Sequence, residues 1–187
     1  MHTLHRILAD IEDLGINSSD FPKEPKEEIL SGVRNTILYW LDDIPRPYAF
    51  DWHTEDAGRW KDEYPNNVIL GSYDVQTLVS ELKNIKECQN TDMVNAINIA
   101  SKYGITTLTD LWTYLQNPQQ PKNAMDKDKV DCSMALNTIN NYFGNVYNFD
   151  SRFLYLNENI TIVDTQIIDM VTQSPEQYAM VMIDCHI

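Results

Sequence analysis

The densest group of residues able to do acid–base or metal chemistry lies at positions 51–56, in the order Asp-Trp-His-Thr-Glu-Asp. A histidine such as His53, beside the carboxylates of Asp51, Glu55 and Asp56, is the combination that transfers protons or binds a divalent ion. Two-residue spacing in a loop, however, gives these side chains no common geometry, and we identify no second cluster to complete a site. We therefore interpret the segment first as an exposed polar loop. An enzyme of hydrolase-like or metal-dependent type, centred on Asp51–Asp56, is our third-ranked hypothesis.

The other motifs that could carry chemistry are incomplete. The sequence of residues 126–131 matches the first positions of a calcium-binding loop in part, but Val130 replaces an oxygen ligand and the turn glycine is missing. Cys185 and His186 are adjacent, so that in a strand their side chains would point to opposite faces. No CxxC, phosphate-binding glycine motif or GxSxG occurs. We predict no catalytic residue, no cofactor and no metal, and expect a protein that is not an enzyme.

The charge balance is the most informative property of the composition. The chain has 28 acidic against 14 basic residues, a formal net charge of −14. Proteins that bind nucleic acid directly need lysine and arginine to neutralise phosphates, so this composition argues against direct binding. A negative surface attracts basic partners instead. We expect a basic protein as the partner, with nucleic-acid-binding enzymes as one such class.

One irregular, acidic segment is the best candidate for that interaction. Residues 44–71 contain three prolines and two tryptophans, and they interrupt the helical pattern on either side. Long loops of this kind often carry function, and tryptophan is a frequent anchor in interfaces. We predict that the partner-binding residues are the carboxylates and tryptophans of this segment: Asp51, Trp52, Glu55, Asp56, Trp60, Asp62 and Glu63.

These observations give a ranked set of functions. The first is a non-enzymatic acidic protein that occupies a basic surface of its partner. Compact nucleic-acid mimics, which phages and mobile elements use to inhibit host defence or DNA-processing enzymes, share this acidic composition. The alternative is a structural or assembly component of a phage virion or larger complex, connector-like or a homo-oligomer. We find no membrane-spanning run and no signal peptide, and therefore expect a cytoplasmic protein, or a virion protein if a phage encodes it.

The elements that must position these residues are mostly helical. The middle of the chain, 91–117, predicts a helix, a stop at Gly104, a capping box from Thr107 to Asp110 and a second helix. Apolar spacing predicts further helices over 3–14, 25–43, 74–85 and 128–143.

The composition changes past Gly144, where β-favouring residues become frequent. We predict a hairpin formed by 152–156 and 160–163, a short helix beginning near Asp164, and a last strand over 178–183. The predicted fold class is α+β, a body of about six helices with a small C-terminal antiparallel sheet. The corresponding division is 1–145 and 146–187, with both parts packed on the same core.

Overall fold

The protein has an α+β fold, as expected from the sequence. A computed structural model describes residues 1–43, 52–116, 127–144, 146 and 151–186. These residues form five α-helices and a mixed sheet of five strands. In chain order the elements are β1 (His2–Asp10), α1 (Lys26–Asp43), β2 (Trp52–His53), β3 (Val68–Leu70), α2 (Gly71–Lys102), α3 (Leu108–Gln116), α4 (Lys127–Gly144), β4 (Phe153–Tyr155), α5 (Thr165–Gln173) and β5 (Tyr178–His186).

The chain divides into two compact units. The first contains residues 1–86 and 146–187, and the second contains residues 87–145. The helix α2 begins in the first unit and ends in the second. Among the residues described, no helix combines the length and the apolar character needed to cross a bilayer.

Two long strands form the centre of the sheet. β1 and β5 are antiparallel and pair along nine residues each, from His2 opposite His186 to Asp10 opposite Tyr178. β4 runs parallel to β1 on its other side. On the side away from β1, β5 pairs with two short antiparallel strands. β2 lies opposite residues 185–186 and β3 lies opposite residues 179–181.

Both faces of this sheet are covered by helices, which gives the first unit three layers. On one face, alternate residues of the central strands such as Ile7 and Val181 pack against Val33 and Ile37 of α1. The other face packs against α2 and α5. Its buried residues include Leu8, Met180, Met182, Leu78, Leu82, Ile167 and Val171. β5 is buried on both faces and is apolar at most positions. The apolar residues of β1 are likewise divided between the two faces.

The second unit is a small helical body. Its core is formed by the C-terminal part of α2 together with α3 and α4, and most of its buried residues are small. They are Ala96, Ala100, Cys132, Ala135, Leu136 and Ile139. The predicted stop at Gly104 is confirmed by its positive φ of 78°. The capping box is confirmed as well, because Thr107 and Asp110 bond each other's backbone N–H groups.

The predicted N-terminal helix over 3–14 is wrong, because residues 2–10 form strand β1 and residues 11–15 form a turn. Leu4, Ile7, Leu8 and Ile11 have the spacing of an amphipathic helix. In the structure Leu4 and Leu8 face one helical layer, whereas Ile7 and Ile11 face the other. A strand buried on both sides has no simple alternation, so its pattern can match a helical one by coincidence. The sheet is therefore mixed and draws strands from both ends of the chain, rather than being antiparallel and C-terminal.

Two smaller predictions also differ from the structure. The helices expected on either side of residues 86–91 are one continuous helix, α2, whose main part starts after the N-cap residue Asp74. The expected hairpin is only a tight turn with one bridge from Tyr155 to Ile160, because β4 pairs with β1 instead. The helices over 25–43 and 128–143, the cap at Asp164 and the last strand are confirmed.

Two glycines give a matched test of packing in the first unit. A methyl group at Gly71 would overlap the backbone carbonyl oxygen of Pro175, whereas one at Gly32, exposed in α1, would meet nothing within 4 Å. We expect Gly71→Ala to lower the free energy of unfolding by about 1–3 kcal/mol through overpacking. Gly32→Ala should raise it by about 0.5–1 kcal/mol, because alanine is the better helix former. Urea denaturation measures both, and equal effects would contradict the described contact.

Candidate functional site

The acidic segment runs along the open edge of β5. We call residues 52–67 the edge segment. It begins with β2, in which Trp52 and His53 lie opposite His186 and Cys185. Thr54 continues this pairing, because its N–H donates to the carbonyl of Asp184 at 3.0 Å and its hydroxyl accepts from the Asp184 N–H at 3.1 Å. The start of the edge segment is thus an extension of the sheet.

A buried carboxylate lies beneath the segment. Asp184 is 2% exposed, although it interrupts a strand of apolar residues. Its two oxygens lie 3.0 and 3.2 Å from Nδ1 of His2, and Oδ2 also accepts from the backbone N–H of Arg59 at 3.3 Å. Gly58 has a φ of 51°, and a Cβ there would overlap the Asp184 side chain. The turn around Gly58 therefore packs directly on this carboxylate.

A buried asparagine closes the other end of the segment. Asn67 is 2% exposed and has a φ of 42°, a conformation that asparagine tolerates better than most residues. Its side-chain amide donates to the carbonyls of Glu55 at 3.0 Å and Met182 at 2.9 Å. Its own carbonyl accepts from the Met182 N–H at 2.9 Å. Both ends of the edge segment are therefore hydrogen-bonded to β5.

Three aromatic rings gather where β1 begins and β5 ends. The Trp52 ring is stacked on His186, with centroids 5.2 Å apart and planes at 14°. His2 meets both rings edge-on, at 4.8 Å from His186 and 5.7 Å from Trp52. Trp52 nevertheless keeps 46% of its surface exposed. The cluster thus holds an exposed tryptophan in one orientation.

His53 faces α1 rather than the carboxylates nearest to it in sequence. Its Nε2 lies 3.1 Å from Oδ1 of Asp42, and its Nδ1 lies 3.0 Å from the carbonyl oxygen of Thr54. Asp42 is in the last turn of α1, and its side chain is 61% exposed. This contact joins the end of α1 to the start of the edge segment.

The predicted partner-binding residues lie in different environments. Four carboxylates are exposed, namely Glu55, Asp56, Asp62 and Glu63. Trp60 is half-buried and packs against the core on the α2 side of the sheet. Asp51 lies outside the described residues. Arg59 and Lys61 are also exposed, so the segment alternates acidic and basic side chains.

A second polar network lies on the α2 side of the sheet. Arg6 donates through Nε to Glu81 at 2.8 Å, and the Tyr64 hydroxyl donates to the other Glu81 oxygen at 2.9 Å. Burial, followed by the hydrogen bond to Glu81, raises the pKa of Tyr64 above its ordinary value. The network ties the edge segment to α2 and pairs the Glu81 carboxylate with Arg6.

Among residues 1–43, 52–116, 127–144, 146 and 151–186, no three His, Cys, Asp or Glu side chains are grouped to hold a metal ion. Cys185 is buried in the core on the α1 side, and the ring of its neighbour His186 is stacked on Trp52. The hydroxyl of Thr54 donates to the carbonyl of Asp56 and accepts from β5.

Sequence reasoning missed the contribution of the chain ends. His2, Asp184 and His186 meet only because β1 pairs with β5, and the first of these strands was predicted as a helix. One signal was present in the sequence. A single carboxylate inside the apolar run 178–185 indicates a buried acid with hydrogen-bond partners, since an unpaired one would be costly.

Asp184 provides the test of how the edge segment is held. We expect Asp184→Ala to lower the free energy of unfolding by about 1–3 kcal/mol, because His2 and the Arg59 N–H lose a buried acceptor. Asp62→Ala, at an exposed carboxylate of the same segment, is the control and should change it by less than about 0.5 kcal/mol. Thermal or urea unfolding measures both. A loss no larger than the control's would show that Asp184 does not anchor the segment.

Comparison with known proteins provides no relative from which an activity could be transferred. No protein-family model, no curated protein and no solved structure matches this chain. What the protein does is therefore inferred from the charges and contacts of its own residues.

Proposed function

We propose that the chain is a non-enzymatic acidic protein that occupies a basic surface of a partner protein. The observation that carries this proposal is the fixed presentation of four exposed carboxylates, Glu55, Asp56, Asp62 and Glu63, on a segment hydrogen-bonded to the central strand β5. Because the backbone is already ordered, binding costs less conformational entropy than it would for a free loop.

Long-range attraction supports the same function. A net charge of −14 accelerates encounter with a basic surface and disfavours contact with nucleic acid. Carboxylates on a rigid frame can also replace the phosphates of a nucleic acid. We therefore infer that the partner is a nucleic-acid-binding enzyme, such as a host defence or DNA-processing enzyme inhibited by a phage or mobile element, and that the two meet in the cytoplasm. Arg59 and Lys61, between the carboxylates, would set the register of docking by repelling misplaced basic groups.

The second candidate function is a subunit of a larger assembly, and the exposed apolar residues of the second unit favour it. Leu108, Trp112 and Phe143 are 72%, 63% and 71% exposed. They line a groove of about 440 Å³ on α3 and α4, together with Thr109, Leu111 and Asn140. Exposed apolar clusters of this kind are typical of surfaces that contact another protein.

Charge reversal tests the first function. Replacing Glu55, Asp56, Asp62 and Glu63 by lysine should abolish capture of basic proteins from a lysate of the cell that makes the chain. The wild-type protein should retain those proteins at low salt, lose them as salt is added and release them to competing duplex DNA, because screening and phosphates both act on the same contacts. Mass spectrometry identifies the retained proteins.

The control variant carries the same change in net charge at other exposed acids, Glu12, Asp13, Asp169 and Glu176. It should retain the same basic proteins as the wild type. Loss of capture in both variants, or in neither, would contradict a specific role for the edge segment.

The assembly function predicts a defined oligomer. Light scattering after size exclusion should then give a multiple of 21.7 kDa at low and high salt alike, because apolar contacts are not screened. Trp112→Asp with Phe143→Asp should reduce the mass to that of one chain. A single-chain mass for the wild type at both salt concentrations would contradict assembly from copies of this chain.

A further inference from the structure

A groove of about 520 Å³ lies between α1 and the start of the edge segment. Its volume is within the range of roughly 300–1,000 Å³ that is usual for small-ligand sites. The described residues that line it combine aromatic rings with carboxylates: Asn35, Leu38, Tyr39, Asp42, Trp52, His53 and Glu55. All of them belong to the first unit.

One wall of the groove is a stripe of α1. Asn35, Leu38, Tyr39 and Asp42 follow the three- and four-residue spacing that places side chains on one face of a helix. Leu38 is buried and anchors the stripe in the core, while Tyr39 is 65% exposed. The stripe therefore offers an exposed aromatic ring one turn before an exposed carboxylate.

This carboxylate lies at the negative end of the α1 dipole. Asp42 and Asp43 occupy the last turn of the helix, which contains no basic residue. The backbone dipole makes this end of a helix negative, so that acidic groups there destabilise it and cations stabilise it. His53 lies against Asp42 on one side. A cation in the groove would lie at this same negative end of the helix.

The other wall supplies an exposed indole and a second carboxylate. The Trp52 ring is held by stacking on His186, and Glu55 is exposed three residues further along. The Glu55 backbone is held in place by Asn67. Aromatic faces attract cations, and the attraction is greatest for tryptophan. The groove thus pairs two aromatic side chains with two carboxylates.

We propose that this groove receives one arginine side chain of the basic partner, an inference that rests on the proposed function. A planar guanidinium stacks on an aromatic ring and donates to two carboxylates at once, which a compact ammonium does less well. A metal ion fits less well, because no three potential ligands are grouped among the described residues. Arginine recognition here would place the partner against the edge segment.

The test is an NMR titration of the full chain with N-acetyl-arginine methylamide and with its citrulline counterpart, which has a similar shape but no charge. The arginine compound should shift the Trp52 indole N–H resonance with a dissociation constant of about 1–10 mM, as expected for one side chain. The citrulline compound should bind at least tenfold more weakly, and the lysine counterpart severalfold more weakly. The Trp52→Leu variant identifies this indole resonance, because the variant lacks it.

Matched variants locate the site. Asp42→Asn with Glu55→Gln should weaken arginine binding at least fivefold, whereas Asp62→Asn with Glu63→Gln should change it less than twofold. Both pairs are exposed, and retained spectral dispersion shows that each variant is folded. Equal shifts with arginine and citrulline, or equal losses in the two double variants, would overturn the proposed site.

The failure of this inference can be separated from the failure of the proposed function. If basic proteins are captured through the edge segment but the arginine compound leaves Trp52 unshifted, the arginine site is wrong and the proposed function stands. If the arginine compound binds as expected but no salt-sensitive basic partner is captured, the proposed function is wrong and the groove remains a guanidinium site.

Discussion

The pairing of β1 with β5 is the constraint on which the first unit depends. These two strands exchange backbone hydrogen bonds along nine residues each and bury side chains on both faces. The α1 layer and the layer formed by α2 and α5 both pack on this pair. β2, β3 and β4 are only two or three residues long and are attached to its edges. Because the pair brings the beginning and the end of the chain together, it also creates the cluster of His2, Trp52 and His186.

Much of the fold could be predicted from local signals. α1, α3 and α5 have apolar residues at helical spacing. α3 and α5 also begin at recognisable capping residues, such as Asp164, whose carboxylate accepts from the Ile167 N–H. β1 could not be predicted in this way. Its apolar residues match a helix equally well, and only a partner strand far away in the sequence decides between the two structures. The same competition between local pattern and distant pairing explains the missing hairpin, since β4 pairs with β1.

Only the part of the candidate site that is formed by residues close together in the sequence could be predicted. The density of carboxylates in one irregular stretch identifies Glu55, Asp56, Asp62 and Glu63, and exposure of these residues in the structure is consistent with their proposed role. Their rigidity was not predictable, because it comes from Asp184 and other contacts to β5. Nor was the groove, which forms only when the end of α1 lies beside Trp52. Charge could be predicted from composition, whereas the arrangement of that charge required the tertiary structure.

The central strand pair also has a consequence for how the protein is made. β1 is synthesised before the other described elements, yet the strand β5 that covers its edge is synthesised after all of them. Contacts between such distant segments make folding slow, since a large loop must close before the contacts can form. During that interval β1 exposes an unpaired edge and the apolar side chains of Leu4, Ile7 and Leu8, which makes it prone to aggregate. Helper proteins that shield nascent chains would therefore be expected to increase the yield of this protein.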